Sequence, residues 1–260
     1  SNPAIKYNHF KDNDSDGIYS GGAIYATTEP EDWGFDNTLL SNGRCDVQEF
    51  DFSPNYFESN DALYGNSISN KGYTNEYNIS SSIVDAALCG GGDIPPAWIF
   101  VEPEATIDNS DIEQNFCANS ASDIYVDSNI PQECVEEDCG TSTNPFKTIS
   151  WAFQMIMPSE NNPVTNHLAN GEYTWDTGEL FPIVPLSYVN LIGDDEQMTI
   201  LDGLGVASKI LIINETVENS ISYLTIKGGW RGLQIVISNP IFNHITITEN
   251  EGYGGISMNY

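Results

Sequence analysis

An acidic hexapeptide near the start of the chain has residue types that can hold a metal ion. The stretch DNDSDG places Asp12, Asp14 and Asp16 at alternate positions and closes on Gly17, which permits a tight turn. Alternating carboxylates around such a turn suit Ca²⁺, which prefers oxygen ligands. An EF-hand would place its bidentate glutamate at the position of Ala23, so the full calcium loop is absent. The pattern therefore predicts either a calcium-bound corner at Asp12, Asp14 and Asp16 or a solvated acidic turn.

Two cations and an aromatic ring in IKGGWRGLQ form a second candidate site. A polysaccharide lyase needs a cationic base beside a carboxylate cluster that holds calcium. Lys227 and Arg231 are the only basic pair within a predicted coil, and Trp230 between them can stack on a sugar ring. We therefore regard Lys227, Trp230 and Arg231 as candidate glycan contacts.

Other signs of catalysis are weak. His9, His167 and His244 are the only histidines, and none belongs to a motif that positions a serine or cysteine nucleophile. We expect them to be core or surface residues. The sequence thus favours a protein without enzymatic activity, with a polysaccharide lyase or glycoside hydrolase as the alternative.

The cysteines indicate an oxidising environment. Cys134 and Cys139 lie in CVEEDC, close enough for a disulfide across a tight loop, and the C-x-x-C pairs or nearby histidines of a zinc site are missing. Cys45, Cys89 and Cys117 are scattered. Because the total is five, at least one cysteine must stay unpaired or bond outside the chain.

The charge balance excludes several classes of partner. Among 260 residues, 38 Asp and Glu oppose 8 Lys and Arg, for a formal net charge of -30. Such a surface repels nucleic acids and anionic membranes. It suits divalent cations, a saline exterior, or the solubility of a long assembly. Neither a membrane-spanning apolar run nor a leader before Ser1 is visible, so we expect a mature or fragmentary extracellular chain without membrane insertion.

Short β-strands at a regular spacing dominate the second half of the chain. Leu224-Thr225-Ile226 recurs as Ile245-Thr246-Ile247, and the strands are joined by irregular Asn/Gly corners rather than two-residue hairpins. Several strands per repeat of a little over twenty residues predict an all-β fold, a parallel β-solenoid. The predicted strands are YVNLIGDD at Tyr188, MTILDG at Met198, KILIIN at Lys209, ISYLTIKGG at Ile221, LQIVIS at Leu233 and FNHITIT at Phe242.

One segment has a helical pattern instead. Between Gly140 and Met157, capping residues and a proline precede apolar side chains at helical spacing. A solenoid exposes its core and strand edges at its first coil, and an amphipathic helix can cover them. We therefore expect a short N-capping helix in mid-chain, with an ordinary surface helix as the alternative. The apolar residues are Phe146, Ile149, Ala152, Phe153 and Ile156.

The order of these pieces resembles a known superfamily. The stretches IYVDSNIPQECVEEDCGTSTNPFKTISWAF, NHLANGEYTW, FPIVPLSYVNLIGDDEQMTILDG and ISYLTIKGG follow one another from Ile124 to about Lys227. They resemble the start of bacterial secreted right-handed parallel β-helix proteins of the pectate-lyase-like superfamily, in which the same strand, helical cap and coils occur in this order. The resemblance implies a right-handed parallel β-helix.

The first hundred residues are similar to later coils of such a helix. FKDN at Phe10, FESN at Phe57 and GGAIY at Gly21 resemble the FxxN and GGA-I repeats of polymorphic outer-membrane proteins. NISSSIVD at Asn78 and ATIDNSDIE at Ala105 resemble their closing coils. We therefore interpret residues 1–118 as final coils and residues 119–260 as a capping segment followed by first coils.

A repeat links the two ends of the chain. SNPAIKYNHFKDN at Ser1 aligns without a gap on SNPIFNHITITEN at Ser238, and writing Tyr260 before Ser1 makes the step from Pro240 to Pro3 equal to one coil. The chain then reads as one period of a tandem array cut in rotated register. The alternative is a fragment in which one β-helix ends near Cys117 and another starts near Ile124.

These observations favour a structural or adhesive role outside the cell or at its surface. We expect a repeat unit of a stalk or filament that contacts copies of itself end to end along the solenoid axis, with polysaccharide as a further candidate partner. Ca²⁺ is the only cofactor that the sequence suggests.

Overall fold

Short parallel strands make up most of the regular structure in the computed structural model. The structure describes residues 5–13, 24–27, 49–58, 60, 66, 68–71, 76–89, 92–102, 106–252 and 254–259. The chain divides into two compact units, Ser1–Cys117 and Ala118–Tyr260. Within the described residues, one α-helix accompanies the strands. The all-β prediction is therefore confirmed.

The strands of the first unit follow a threefold order. Every third strand joins the same sheet, so that β1, β4, β7 and β10 form one sheet, β2, β5 and β8 a second, and β3, β6 and β9 a third. The pairings with an assigned register are all parallel. The strands are β1 (His9–Lys11), β2 (Ile24–Thr27), β3 (Glu49–Asp51), β4 (Tyr56–Glu58), β5 (Ile68–Lys71), β6 (Glu76–Asn78), β7 (Ile83–Leu88), β8 (Ile99–Glu102), β9 (Thr106–Asp108) and β10 (Glu113–Ala118).

Phenylalanine and asparagine hold neighbouring coils of this unit together. Phe10 pairs with Phe57 in register, and their rings stack with centroids 5.2 Å apart. Three residues later, the Asn60 side chain accepts a 2.8 Å hydrogen bond from the Asn13 amide and donates to the carbonyl of Phe10. The equal spacing of Phe and Asn in FKDN and FESN thus places an apolar contact in the core and an amide bridge at the corner.

The second unit contains two groups of stacked parallel strands. β11, β12, β14 and β17 lie side by side, β17 also pairs with β15 and β19, β15 pairs with β13, and β16, β18 and β20 form a separate sheet. The elements are β11 (Asp123–Val126), α1 (Ile149–Met155), β12 (Val164–Leu168), β13 (Gly171–Tyr173), β14 (Val189–Gly193), β15 (Thr199–Ala207), β16 (Leu211–Asn214), β17 (Ser220–Gly229), β18 (Arg231–Val236), β19 (Ile241–Ile247) and β20 (Gly254–Asn259).

The register of this unit confirms the predicted repeat. Leu224, Thr225 and Ile226 of β17 pair with Ile245, Thr246 and Ile247 of β19. Successive side chains of a strand point to opposite faces, so residues paired in register on one face form a continuous row. The row that enters the core contains Ile124, Asn166, Leu191, Ile221 and Phe242.

The segment that contains α1 covers the free edge of β11. The carbonyl of Gly140 accepts a 2.9 Å hydrogen bond from the N–H of Tyr125, and the N–H of Phe146 donates to the carbonyl of Tyr125. Phe146 is fully buried. This segment therefore satisfies strand-edge groups that would otherwise face water. The short helix in mid-chain is present as predicted, and its role as the cap of a solenoid stays a prediction.

The helix itself is shorter than the predicted pattern. Phe146 pairs with Val126 as an isolated parallel bridge, and α1 begins only at Ile149, with Thr148 as its N-cap. The apolar spacing from Phe146 onward therefore spans two conformations, an extended edge contact and a seven-residue helix. Phe146 is extended and pairs with β11, so the helix begins later than the apolar pattern predicts.

Two carboxylates bind the backbone at the start of α1. Glu133 accepts hydrogen bonds from the N–H groups of Lys147 (2.6 Å) and Thr148 (3.1 Å). Glu179, 1% exposed, accepts from the N–H groups of Ile149 (2.7 Å) and Ser150 (3.0 Å) and from the Ser150 hydroxyl (2.6 Å). Burial raises the pKa of Glu179, and these hydrogen bonds to its carboxylate oppose the shift. Negative charge here also complements the positive end of the helix dipole.

We predict that Glu179→Gln will lower the free energy of unfolding by about 2–3 kcal/mol. The new amide NH₂ faces backbone donors, so at least one buried N–H loses its acceptor. Urea denaturation monitored by circular dichroism measures the change. Glu160→Gln is the matched control, because Glu160 is exposed in the same unit and should change stability by less than about 0.5 kcal/mol. Equal stability of the two variants would contradict the anchoring role of Glu179.

Candidate functional site

Lys227 is held by an acidic residue of the preceding strand. It pairs in register with Asp202 of β15, and its Nζ lies 3.2 Å from Asp202 Oδ2. The hydrogen bond to Asp202 is the main reason that the pKa of Lys227 is raised above its usual value. The neighbouring Gly228 has a φ of +73°, and a Cβ there would collide with the Asp202 carboxylate. Lys227 is therefore a charge partner of Asp202 and stays protonated at neutral pH.

Trp230 lies at the corner between β17 and β18. Its backbone N–H donates to the carbonyl of Ala207, and its own carbonyl accepts from the N–H of Gly252. The indole lies against Gly252, where any Cβ would collide with the ring. Trp230 is nevertheless 57% exposed. Because Gly252 has no side chain, one part of the Trp230 ring packs against it, and the rest of the ring is exposed to solvent.

Apolar side chains project beside this corner. Between Asp202 and Ala207 the register of β15 against β17 shifts, which marks an irregularity in the strand. Leu204 and Val206 lie in this irregular stretch and are exposed. Trp230, Leu204 and Val206 are thus three apolar residues of this unit that are exposed.

A second cation accompanies Arg231 at the same corner. The N–H of Ile210 donates to the carbonyl of Arg231, which places the neighbouring Lys209 on the adjacent coil. Burial, together with the positive charge of Arg231, lowers the pKa of Lys209. Arg231 and Lys227 belong to different sheets, since β18 and β17 are separate in the topology. The predicted glycan contacts Lys227, Trp230 and Arg231 thus lie on β17, at the following corner and on β18, and Lys227 pairs with Asp202. Glycan binding there stays a prediction.

Most residues of the predicted calcium site lie outside the described part of the chain. Asp14 and Asp16 lie outside the described residues, and Asp12 is exposed with a backbone N–H that donates to the carbonyl of Glu58. Among the residues that the structure describes, no group of three or more His, Cys, Asp or Glu side chains is arranged to hold a metal. Calcium binding at Asp12, Asp14 and Asp16 stays a prediction.

The structure contains two disulfides in its described residues. Cys134 bonds to Cys139 within one loop, and Cys89 bonds to Cys117. The loop disulfide lies next to the capping segment, because the carbonyl of Cys134 accepts a 3.2 Å hydrogen bond from the indole N–H of Trp151 in α1. Cys45 lies outside the described residues.

Each histidine of the chain stacks on a tyrosine. The ring centroids are 4.3 Å apart for His9 and Tyr56, 5.0 Å for His167 and Tyr125, and 4.7 Å for His244 and Tyr223. In the first two pairs the partners are also in register on neighbouring strands. These rings therefore reinforce strand stacking on the outside, as surface residues. In the sequence, the sign of this stacking is an aromatic residue at the matching position of the neighbouring strand.

The comparisons with known proteins show a similarity to a family in part of the second unit. Residues 133–255 match the model of a family described as a protein of unknown function (DUF1565). The match begins at the glutamate that anchors α1 and ends within β20. No curated protein and no solved structure matches the chain. In the described residues, no helix has both the length and the apolar character needed to cross a bilayer.

We predict that His167→Phe will raise the pKa of Asp123. His167 Nε2 lies 2.8 Å from Asp123 Oδ1, and this hydrogen bond is the main reason that the pKa of Asp123 lies below its ordinary value. Phenylalanine retains a ring for stacking on Tyr125 but cannot donate. Because the pKa of Asp123 is lower in the folded state, its stabilising contribution is present above the unfolded-state pKa, about 3.9, and is lost as pH falls through the folded-state value.

An NMR titration of the side-chain carboxyl carbons measures this change directly. Asp108 is the internal control, since Ser110 rather than histidine lowers its pKa. The Asp108 midpoint should stay constant in His167→Phe while that of Asp123 moves up. An unchanged Asp123 midpoint would show that His167 does not act on this carboxyl.

Proposed function

We propose that the chain is a right-handed parallel β-helix and serves as a structural or adhesive repeat unit of an extracellular or surface stalk or filament. The threefold strand order of the first unit and the parallel registers of both units support the solenoid. The match of residues 133–255 supports it too, because that family has a right-handed β-helix-like character. Both disulfides are consistent with an oxidising exterior.

The observation that carries the proposal is the open apolar face of the last described coil. Ile256 and Met258 of β20 pair in register with Leu233 and Ile235 of β18. Leu233 and Ile235 are buried, whereas Ile256 is 47% and Met258 55% exposed. The coil therefore presents core-type side chains to water, at a cost of about 25 cal/mol per Å² of apolar area left unburied.

The two ends of this strand stack differ in a way that suits directional growth. The edge at β11 is covered by the capping segment with α1. At the other edge, β19 and β20 are the outermost strands of their sheets. A stack closed at one edge and open at the other accepts a further coil only at its open face.

The expected occupant of the open face is a coil with the pattern of Ser1 to Asn13 from another copy. That stretch aligns with Ser238 to Asn250, so it carries side chains suited to the same type of coil. Ile5 is exposed, while Phe10 packs against the first unit's core. Since the chain carries a net charge of -30, copies repel one another at low ionic strength. Calcium at Asp12, Asp14 and Asp16 would reduce this repulsion.

The lyase form of the enzyme alternative drew its cationic base from the pair Lys227 and Arg231. The Asp202 carboxylate keeps the Lys227 ammonium group protonated, so it cannot accept a proton at neutral pH. This geometry favours the structural role over a lyase that uses Lys227.

We predict that the 260-residue chain will associate end to end when its charge is screened. Sedimentation equilibrium in about 0.5 M NaCl should show species larger than 28.6 kDa, with less association at about 0.01 M, where the Debye length is roughly 30 Å. Electron microscopy should show particles elongated along one axis.

Ile256→Asp should weaken this association at least tenfold, because a carboxylate in the apolar face must be desolvated when the face is covered. Val217→Asp adds the same charge at an exposed residue outside the last coil and is the matched control. A chain that stays monomeric at every salt concentration, or an Ile256→Asp variant that associates like the Val217→Asp control, would refute end-to-end assembly.

A further inference from the structure

Two residues at the open edge of the second unit have a backbone conformation that side chains rarely adopt. His244 in β19 has a φ of +53°, and Glu249 just after β19 also has a φ of +53°. Such left-handed values are uncommon for residues other than glycine. On β17, Tyr223 lies opposite His244 and has a φ of +56°. Gly228 lies opposite Glu249 and has a φ of +73°. The same two bends thus recur from one strand to the next.

The similar stretch near the start of the chain has both bends as well. In the gap-free alignment of the two stretches, Tyr7 falls on His244 and Asp12 falls on Glu249. Tyr7 has a φ of +58° and Asp12 a φ of +52°. The two stretches therefore agree in backbone path as well as in sequence. The stretch near the start of the chain has the shape of a strand that would follow β19.

Asparagine bridges have the same geometry in both units. Asn250 donates a 3.2 Å hydrogen bond to the carbonyl of Ile226 on the preceding strand, and it accepts from the backbone N–H three residues further on (3.0 Å). Asn60 donates to the carbonyl of Phe10 (3.1 Å) and accepts from the N–H of Asn13 (3.2 Å) in the same way. Each bridge joins a strand to the one before it. Asn13 aligns with Asn250 and so carries the side chain that a bridge to β19 requires.

Ring stacking can give the junction a specific contact. The rings of Tyr223 and His244 stack with an interplanar angle of 12°. Among the described strands β19 is at the edge of its sheet, so this column of rings ends at His244. Tyr7 is 85% exposed. A Tyr7 ring stacked on His244 would continue the column at a small entropic cost, because a tyrosine side chain has few rotatable bonds.

Acidic side chains at the open edge match a basic side chain of the incoming strand. In the first unit Lys11 contacts Glu58 at 2.9 Å, and its strand β1 is the outermost of its sheet. The other edge of β1 can therefore bring the same cation against a second acidic strand. β19 ends near Glu249, and Glu196 accepts a hydrogen bond from a threonine hydroxyl of β19. This charge complementarity favours β1 as the partner. Asp12 would face Glu249 directly and oppose association until salt screens the charge.

We propose that the open edge of β19 recognises β1 of a second copy in a single register, in which Tyr7 stacks on His244 and Phe10 packs on Ile247. Asn13 then donates to the carbonyl of Ile247. A shift by one residue would turn the incoming side chains to the opposite face, so these three contacts select the same register. This inference rests on the proposed end-to-end assembly and names the residues that determine its specificity.

Cysteine cross-linking between two variants of the full chain tests the register. Lys11 aligns with Thr248, so the register places them side by side, within the Cα separation of about 4.4–6.8 Å that a disulfide spans. Lys11→Cys and Thr248→Cys are each combined with Cys45→Ser, because the other four native cysteines are already paired. Mixed in about 0.5 M NaCl with a glutathione buffer, they should form a disulfide-linked species of about twice 28.6 kDa. Asn243→Cys, roughly 16 Å along the strand from Thr248, is the control and should cross-link at least tenfold less.

Substitutions in the stack measure its share of the recognition. His244→Ala and Tyr7→Ala should each weaken the association seen by sedimentation equilibrium about three- to tenfold. The double variant should be no weaker than either, because both changes remove the same contact. Tyr7→Phe keeps the ring and should associate like the native chain. His167→Ala is the matched control, since it removes a histidine that stacks on a tyrosine at the covered edge.

The outcomes separate the register from assembly itself. Association in which Thr248→Cys and Asn243→Cys cross-link equally would overturn the register and leave end-to-end assembly intact. Equal association of His244→Ala and His167→Ala would likewise remove the stack as the selecting contact. A chain that never associates would refute the assembly and the register together.

Discussion

Hydrogen bonding between parallel strands is the constraint on which the rest of the structure depends. A strand in such a stack satisfies its backbone groups only when it has a neighbour on each side, so every strand needs a parallel partner at both edges. Side-chain amides complete the bonding where the backbone turns between strands. In the second unit Asn219 donates to the carbonyls of Leu186 and Val189, and in the first unit Asn55 accepts from the N–H of Asn8. Asparagine suits these corners because its amide both donates and accepts.

The ends of a stack are where this constraint is hardest to meet. At β11 the chain meets it with a segment that pairs along the strand edge and continues into α1. A seven-residue helix is too short to be stable alone. Glu179 compensates by accepting hydrogen bonds from its first two N–H groups, and Glu133 accepts from the N–H of the N-cap Thr148. At β20, by contrast, core-type residues remain exposed. This asymmetry connects the local packing to the proposed directional assembly.

Side chains that point away from the core do not have to pack against the next strand's core residues. Polar and aromatic contacts between neighbouring strands occur at these positions. Tyrosine and histidine stack on one another, and Asp202 pairs with Lys227. At the corner after β17, the same freedom permits the Trp230 indole to be exposed. Because register repeats every coil, residues far apart in sequence form short ladders on the surface.

The sequence alone determined the features that depend on local pattern. Alternating apolar residues and the return of Leu224-Thr225-Ile226 as Ile245-Thr246-Ile247 predicted the strands and their parallel stacking, because a core-facing row imposes a regular spacing. The helical spacing after Gly140 predicted the short helix, but not that Phe146 would pair with Val126. The tertiary structure alone decided which outward residues meet. Glu179 accepts from the backbone of α1, Asp202 pairs with Lys227, and the carbonyl of Arg231 accepts from the N–H of Ile210. The connections between strands vary in length. The sequence pattern of one strand therefore does not show which outward side chain of another strand it will meet, and these contacts are set only when the strands pair.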